Sequence, residues 1–296
     1  MNVAANERSN AEFERLRPYL LRVAYSHLGS LGEAEDVVQD AWLRLTRTDR
    51  SEIRNLRAWL TTVVSRLAVD ALTSARARRE SYVGPWLPEP LVSAEPPAAA
   101  DPAARVELDE SVSMAMLIVL ESLSPAERSA FLLHDVFGYS FEEVAGMVGR
   151  TPSAARQLAF RGRQAVEARR PRYPAAPEEQ EKVVEAFRAA TENGDLEALL
   201  EVLDPDVTFR SDGGGVVSAA RRTFIGAERV AHIFTGMAQH FGERFRFSPV
   251  MVNGDAGLVL GRLGMEPSVI SFTVDGGRIT EIDVVRNPEK LGSLGG

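Results

Sequence analysis

The chain contains no cysteine, so neither a disulfide framework nor a thiolate metal site is available to it. Histidine is scarce as well. Four are scattered through 296 residues and none falls in an H-E-x-x-H pattern, so no catalytic metal centre and no metal cofactor are expected. Long apolar runs are also missing. No stretch approaches the roughly 18 residues a membrane helix needs, and the N-terminal residues lack the basic-then-apolar order of a signal peptide. A cytoplasmic protein with no membrane association is the expectation. What is present, 45% hydrophobic and 26% charged residues, fits a soluble globular protein. The length exceeds the roughly 100–200 residues of one domain, so two or three compact units are expected.

A net charge of −8 argues against a nucleic-acid partner only while it is averaged over the chain. Residues 1–172 carry 22 Arg and 23 acids, whereas residues 173–296 carry 12 basic and 19 acidic side chains. Within the first part, arginine is clustered. Arg54, Arg57, Arg66, Arg76, Arg78 and Arg79 stand against one acid, Asp70. Arg150, Arg156, Arg161, Arg163, Arg169, Arg170 and Arg172 stand against Glu167. Clustered guanidinium groups are the usual footprint of phosphate binding. A solvated helix face gives the same pattern, though less readily twice in one half of a chain.

Residues 8–80 read as helices. Phe13, Leu16, Leu20, Val23 and Ala24 recur at helical spacing from about Asn10 to Leu28. A second helix begins near Glu33, with Val37, Val38, Ala41, Trp42 and Leu45 on one face and Glu33, Glu35, Asp36 and Asp40 on the other. Residues 46–55 are loop-like, and a third helix, 56–79, ends in the arginine run. Residues 81–106 hold six prolines among Ala, Ser and Glu, which reads as an extended linker. Trp86 and Leu87 are out of place in a bare linker, so Trp86-Leu87-Pro88-Glu89-Pro90 is expected to dock on a folded surface.

Residues 107–170 are helical again. Ser124-Pro125-Ala126-Glu127 and Ser140-Phe141-Glu142-Glu143 are capping boxes. A short helix to Val148, the turn Gly149-Arg150 and a helix from Pro152 to about Ala168 make a helix-turn-helix pattern, which a plain helical hairpin would share. Ser153, Arg156, Gln157, Arg161 and Arg163 face away from Ala155, Ala159, Gly162 and Val166. Arg and Gln read guanine and adenine edges in the major groove, and the second helix is the one that enters it. After a second linker, 171–177, the pattern changes. Helices at 178–193 and from Asp195 precede strand-like pieces at Val207–Arg210, Phe245–Val252, Gly257–Leu263, Val269–Val274 and Ile279–Arg286. A helix at about 227–241 interrupts them, and Asn253-Gly254 and Asp275-Gly276 mark turns. An α+β domain with a curved antiparallel sheet is expected.

These residues together resemble the extracytoplasmic-function sigma factors, RNA polymerase subunits that keep only sigma regions two and four. Gly32 to Leu45 is similar to the family's polymerase-clamp helix, Asn55 to Arg79 to the helix that melts and reads the −10 element, and Leu123 to Val166 to the domain that reads the −35 element. The C-terminal part resembles a SnoaL-like domain, a cone-shaped fold that a subfamily of these factors carries. The subfamily's motifs, W-L-P-E-P, D-G-G-G-K and N-P-D-K-L, stand here as Trp86–Pro90, Asp212-Gly213-Gly214-Gly215-Val216 and Asn287-Pro288-Glu289-Lys290-Leu291. Val216 replaces the usual lysine, which removes any contact that lysine makes.

The resemblance implies a multidomain chain: two all-α sigma domains at 8–80 and 107–170, the linker 81–106 between them, and an α+β SnoaL-like regulatory domain at 178–296. It implies a non-enzymatic transcription initiation factor whose partners are the core polymerase, through the β′ clamp and β flap, and promoter DNA, duplex at −35 and single-stranded at −10. Glu33, Glu35, Asp36, Gln39 and Asp40 would meet polymerase. Arg54, Asn55, Arg57, Thr62 and Arg66 would meet the −10 strand, with a base captured by the loop from about Arg47 to Asn55. Ser153, Arg156, Gln157, Arg161 and Arg163 would meet the −35 element. The three motifs would form an interdomain regulatory contact, acting as a switch or only as a brace. Two other readings stay open. A stand-alone helix-turn-helix regulator would bind duplex DNA without polymerase. A SnoaL-type enzyme would use Asp212 or His232 as its acid–base group, and the cone could hold a small apolar ligand.

Overall fold

Apolar residues recur with a helical period before the second proline-rich segment and alternate after it, and the architecture follows that division. The computed structural model describes residues 3–80, 82–93, 112–169, 171–242, 246–262 and 265–292. The linker beyond Ser93, residues 107–111, Arg170, the strand ends Phe245 and Leu263, and the side chains of Arg76, Arg78 and Arg79 lie outside the described residues. Two units are present: one takes 3–80, 112 and 119–169, the other 82–93, 113–118 and the residues from 171 onward.

In the first unit, α1 (Val3–Leu28), α2 (Leu31–Arg47) and α3 (Leu56–Glu80) pack on one another. The Ser30 hydroxyl accepts from the Glu33 amide, so α2 starts two residues before the expected Glu33. Ala34, Val37, Val38, Ala41 and Leu45 are its buried stripe, and Leu56, Leu60, Val64, Ala68 and Leu72 are that of α3. The helix α4 (Met114–Leu120) falls mostly in the other unit; in this one α5 (Pro125–Phe131) begins at the first capping box and runs into a single π turn, Leu132–Val136. The second box starts α6 (Phe141–Val148). Gly149 ends it at φ 66°, a left-handed conformation that costs glycine least, and turns the chain into α7 (Pro152–Arg169). Ala155 and Ala159 pack on Ala130, Leu133 and Val144, which fixes the angle of the helix pair.

In the second unit, α8 (Pro177–Asn193) and α9 (Leu196–Val202) lead into a seven-stranded sheet of order β1-β4-β5-β6-β7-β2-β3. Its strands are β1 (Val92–Ser93), β2 (Leu203–Asp212), β3 (Phe224–Ile225), β4 (Arg246–Val252), β5 (Asp255–Arg262), β6 (Met265–Asp275) and β7 (Arg278–Val285). The expected all-antiparallel sheet needs correction. Strands β4 to β7 meander, but β2 lies parallel to β7; α10 (Ala227–Phe241) takes the chain from β3 at one edge of the sheet to β4 near the other. Phe209, Leu258, Ile270, Phe272 and Ile282 share one face, on which Phe187, Leu199 and Phe234 of the helices pack. The Asn253-Gly254 turn is as expected, with φ positive at both residues. The second turn is centred on Gly276-Gly277, one residue later than the Asp275-Gly276 signal, because Asp275 pairs with Arg278.

Asp255, beside the first turn, has its carboxyl pushed up by burial from 3.8 to about 6. A carboxyl raised on folding favours the native state most when protonated in both states, so its contribution is lost as pH rises from about 4 to about 6. Asp255→Asn is expected to remove that slope from urea-unfolding free energies and to stabilise the protein at pH 7 by on the order of 1 kcal/mol.

Candidate nucleic-acid interface and linker-docking site

Helical geometry sets the polar ridge of α2. Glu35, Asp36, Gln39 and Asp40 are exposed opposite the buried Val37, Val38 and Ala41, while Glu33 is half-buried in the first turn. The loop into α3 is tightly built. Asp49 caps the short turn Arg50–Glu52, and Asn55 caps α3 by accepting from the Ala58 amide at 3.1 Å. A groove of about 500 Å³ opens here, lined by Glu12, Arg15, Arg50, Arg54, Asn55 and Arg57, with Arg50 donating to the Glu12 carboxylate at 2.9 Å. Three of the five −10 candidates meet at it, together with Arg15 and Arg50, which the sequence reading left out. Their signal was weak, since Arg50 was one charge in a polar loop and Arg15 one charge on an amphipathic helix.

Thr62 and Arg66 lie further along α3. The Thr62 hydroxyl donates to the Ala58 carbonyl at 2.9 Å. Arg66 donates to the carbonyls of Gly146 at 2.8 Å and Met147 at 3.2 Å, a cation at the C-terminal end of α6. Arg57 stacks 4.0 Å from the Tyr19 ring, whose hydroxyl is 2.7 Å from that of Tyr139. The Tyr139 hydroxyl, pushed up to about 12 mainly by burial, stays protonated and donates to Thr61 at 3.0 Å. On α7, Ser153, Arg156, Gln157 and Arg161 are exposed along one side. Arg156 lies 5.0 Å from the Phe141 ring, Arg163 donates to Asp135 at 2.8 Å, and Arg161 reaches Glu127 at 3.5 Å.

The three sequence motifs converge in the second unit. Asp212, fully buried, accepts from Tyr82 Oη at 2.6 Å, from the amides of Leu87 at 2.9 Å and Gly214 at 3.0 Å, and from Lys290 Nζ at 2.7 Å. Lys290 also donates to the Leu87 carbonyl and sits 4.0 Å from the Trp86 ring centroid, a cation–π contact. Leu87, Pro88 and Pro90 are buried, and Glu89 is half-buried. Asn287 donates to Tyr82 Oη at 3.1 Å and accepts from the Glu289 amide, which fixes the turn Pro288–Lys290 and buries Leu291. The glycines of the box are there for space. A Cβ on Gly213 would strike the Val217 carbonyl, and one on Gly214, at φ 65°, would strike the Asn287 side chain. Gly215 sits against Val83. Val216 is 68% exposed, and the cation at Asp212 is Lys290.

Tyr82 was not legible as a member of this group, because its partner Asp212 lies 130 residues away. Burial, then the bond to Asp212, pushes its hydroxyl up, so it remains a donor. Further along, Val92 and Ser93 add β1 to the sheet edge beside β4, and Leu91 exchanges two bonds with Asn253. The segment that follows α7 is held too. The Arg172 and Tyr173 amides donate to the Asp275 carboxylate at 2.9 and 2.6 Å.

Alternation along β2 sends Ser211 and Asp212 to opposite faces. Ser211 faces a cavity of about 390 Å³ lined by Phe209, Phe234, Met237 and Ile270 among others. Asp212 faces the linker. Asp212 is therefore not an acid–base group in the cone, and His232 is not either: its ring is exposed on α10 and bonded to the Glu228 carbonyl. Among the described residues, no three His, Asp or Glu side chains converge to hold a metal ion, and no helix is long and apolar enough to cross a membrane.

Family models match in three places: Sigma-70 region 2 at residues 13–78, Sigma-70 region 4 at 113–166 and a SnoaL-like domain at 184–286. The chain is 41% identical to the ECF RNA polymerase sigma factor SigJ of Mycobacterium tuberculosis (strain ATCC 25618 / H37Rv), over 95% of this chain and 92% of that one. It is 36% identical to the probable ECF RNA polymerase sigma factor SigI of Mycobacterium tuberculosis (strain CDC 1551 / Oshkosh), over 96% and 95%. The crystal structure of Mycobacterium tuberculosis SigJ is similar, with a TM-score of 0.78 and 38% identity over 95% of this chain and 98% of that one.

Proposed function

The chain belongs to the extracytoplasmic-function RNA polymerase sigma factors, and on that premise we propose how its residues bind core polymerase and promoter DNA. The ridge Glu35, Asp36, Gln39 and Asp40, with Glu33 at its end, meets basic residues of the β′ clamp, where charge sets specificity and on-rate. The groove of Arg15, Arg50, Arg54, Asn55 and Arg57 is the observation that carries the DNA reading. Guanidinium groups around a niche suit one unstacked base and its flanking phosphates. Thr62 and Arg66 extend the contact along the strand. Ser153, Arg156, Gln157, Arg161 and Arg163 read duplex −35 DNA, and the same domain meets the β flap. No step of this role is catalytic.

The SnoaL-like domain regulates the chain in cis. The support is that segments on both sides of region four, residues 82–93 before it and 172–174 after it, are bonded to that domain. Arg57 and Arg66, meanwhile, are engaged inside the first unit. Promoter opening then requires these arginines to leave their internal partners, and the hold on the linkers sets how readily they do so. The cavity of the domain takes a small apolar ligand.

Run-off transcription with purified core polymerase tests this reading. Full-length protein is expected to give promoter-dependent transcripts. Reversing two ridge charges, Asp36→Lys with Asp40→Lys, is expected to lower initial-rate yield about tenfold at low salt, and less as salt rises. Trp86→Ala is expected to change transcript yield at equal polymerase occupancy. Tight duplex binding without polymerase, and no transcript with it, would move the assignment to a stand-alone regulator.

A further inference from the structure

We infer that Tyr19 in region two is a stacking platform for one base of the opened −10 strand, and that the turn at residues 137–139 of region four occupies it in the free chain. The inference rests on reading the groove beside Arg57 as the −10 site. It adds a contact residue and names the group that covers it.

The single π turn carries α5 into Phe137, and Gly138, at φ 73°, turns the chain into Tyr139. Both rings reach Tyr19 on α1. The Phe137 ring stands edge-on to it with centroids 6.0 Å apart, and the two tyrosine hydroxyls are 2.7 Å apart. Each hydroxyl has one proton, so the bonds can run in only one direction. Thr61 donates to the Arg57 carbonyl at 2.8 Å, Tyr139 donates to Thr61 at 3.0 Å, and Tyr19 therefore donates to Tyr139. The circuit closes on itself, because the Arg57 guanidinium lies 4.0 Å from the Tyr19 ring centroid.

Arg57 belongs to two places at once. It lines the groove, and it covers Tyr19. Arg22 lies 5.7 Å from the same ring and 5.5 Å from that of Phe137. A tyrosine flanked by two guanidinium groups at the edge of a groove is the composition that holds a single strand. The ring offers a face to any base, and the cations meet the flanking phosphates. In the free chain Phe137 supplies the aromatic ring that a base would supply, and Tyr19 is 6% exposed. Base and turn cannot both be there. Two phenols, a threonine and two guanidinium groups are also side chains that water can satisfy once they part, which suits a cover that must leave.

Fluorescence anisotropy of the full-length protein with a labelled, mixed-sequence single strand of about 15 nucleotides tests the inference, since base stacking tolerates any sequence. Tyr19→Leu removes the ring and is expected to weaken binding about fivefold or more. Tyr19→Phe keeps the ring but drops the bond to Tyr139, and Phe137→Ala removes the cover. Both are expected to tighten binding about threefold or more. A Tyr19 that only braces the fold would give the same sign with leucine as with phenylalanine, and that result overturns the inference. A second reading needs no variant. Tetranitromethane nitration of the parent protein, followed by mass spectrometry, is expected to modify Tyr139 several-fold faster once the strand is bound, while Tyr19 stays protected. Strand binding with no gain at Tyr139, or with Tyr19 nitrated, sinks the inference and leaves the groove as the −10 site. If neither the parent nor any variant binds the strand, both readings fail.

Discussion

Replacing Asp212 by alanine lowers the stability of the C-terminal unit by roughly 3–5 kcal/mol, read from the urea midpoint at constant slope. The magnitude follows from what the carboxylate holds. Lys290 is 9% exposed and loses its counter-charge, while Tyr82 Oη and two backbone amides lose an acceptor. An uncompensated buried ammonium is expensive because the attraction that offset its desolvation is gone. Neutralising both partners, Asp212→Asn with Lys290→Gln, is expected to recover most of the loss. A single-variant change within about 1 kcal/mol, the scale of an exposed pair, would show that the network is solvated and does not hold the linker.

Arg128→Ala is expected to destabilise the first unit by a comparable amount, roughly 3–5 kcal/mol. Arg128 is 3% exposed. Its Nε and Nη2 donate to the Leu120 carbonyl at 2.9 and 2.6 Å, its Nη1 donates to the His27 carbonyl at 2.6 Å, and Glu121 lies 2.8 Å away. The side chain ties α5 to the end of α1, across 101 residues of sequence. Burial holds the adjacent His27 ring down to about 4, so it is neutral near pH 7 and does not repel the guanidinium. Arg128→Lys should recover only part of the loss, because one ammonium cannot reproduce the fork that reaches both carbonyls. Urea unfolding followed by far-ultraviolet circular dichroism reads both variants. Full stability of the alanine variant would place the guanidinium in water instead.

Local signals were the legible ones. The capping boxes at Ser124 and Ser140, the cap at Asp195 and the Asn253-Gly254 turn need only a few neighbouring residues, and each stands where the spacing put it. The apolar Trp86-Leu87 pair in a proline-rich segment announced that it docks, whereas the Asp212 and Lys290 motifs stood out by resemblance alone, with no signal for the bond between them. What spacing could not supply was register. Whether Asp212 faces the cone or the linker depends on which way the last residues of β2 point, and a single step decides it. Arg128 was invisible for a related reason. Next to a capping box it reads as one more surface arginine, and its burial depends on a carbonyl in another helix. The parallel β2–β7 pairing was hidden because alternation reports faces and says nothing of strand direction.

The Lys290–Leu87 bond joins residues 203 positions apart in the sequence. On a ribosome elongating at roughly 5–20 residues per second, the linker emerges some ten to forty seconds before the lysine that fastens it. Region two is complete during that interval, while the segment behind it has no Lys290 and no β4 edge to join. Each new copy of this chain therefore begins life with its linker unfastened, and synthesis itself opens a brief window in which the N-terminal half exists before the contacts that hold its linker.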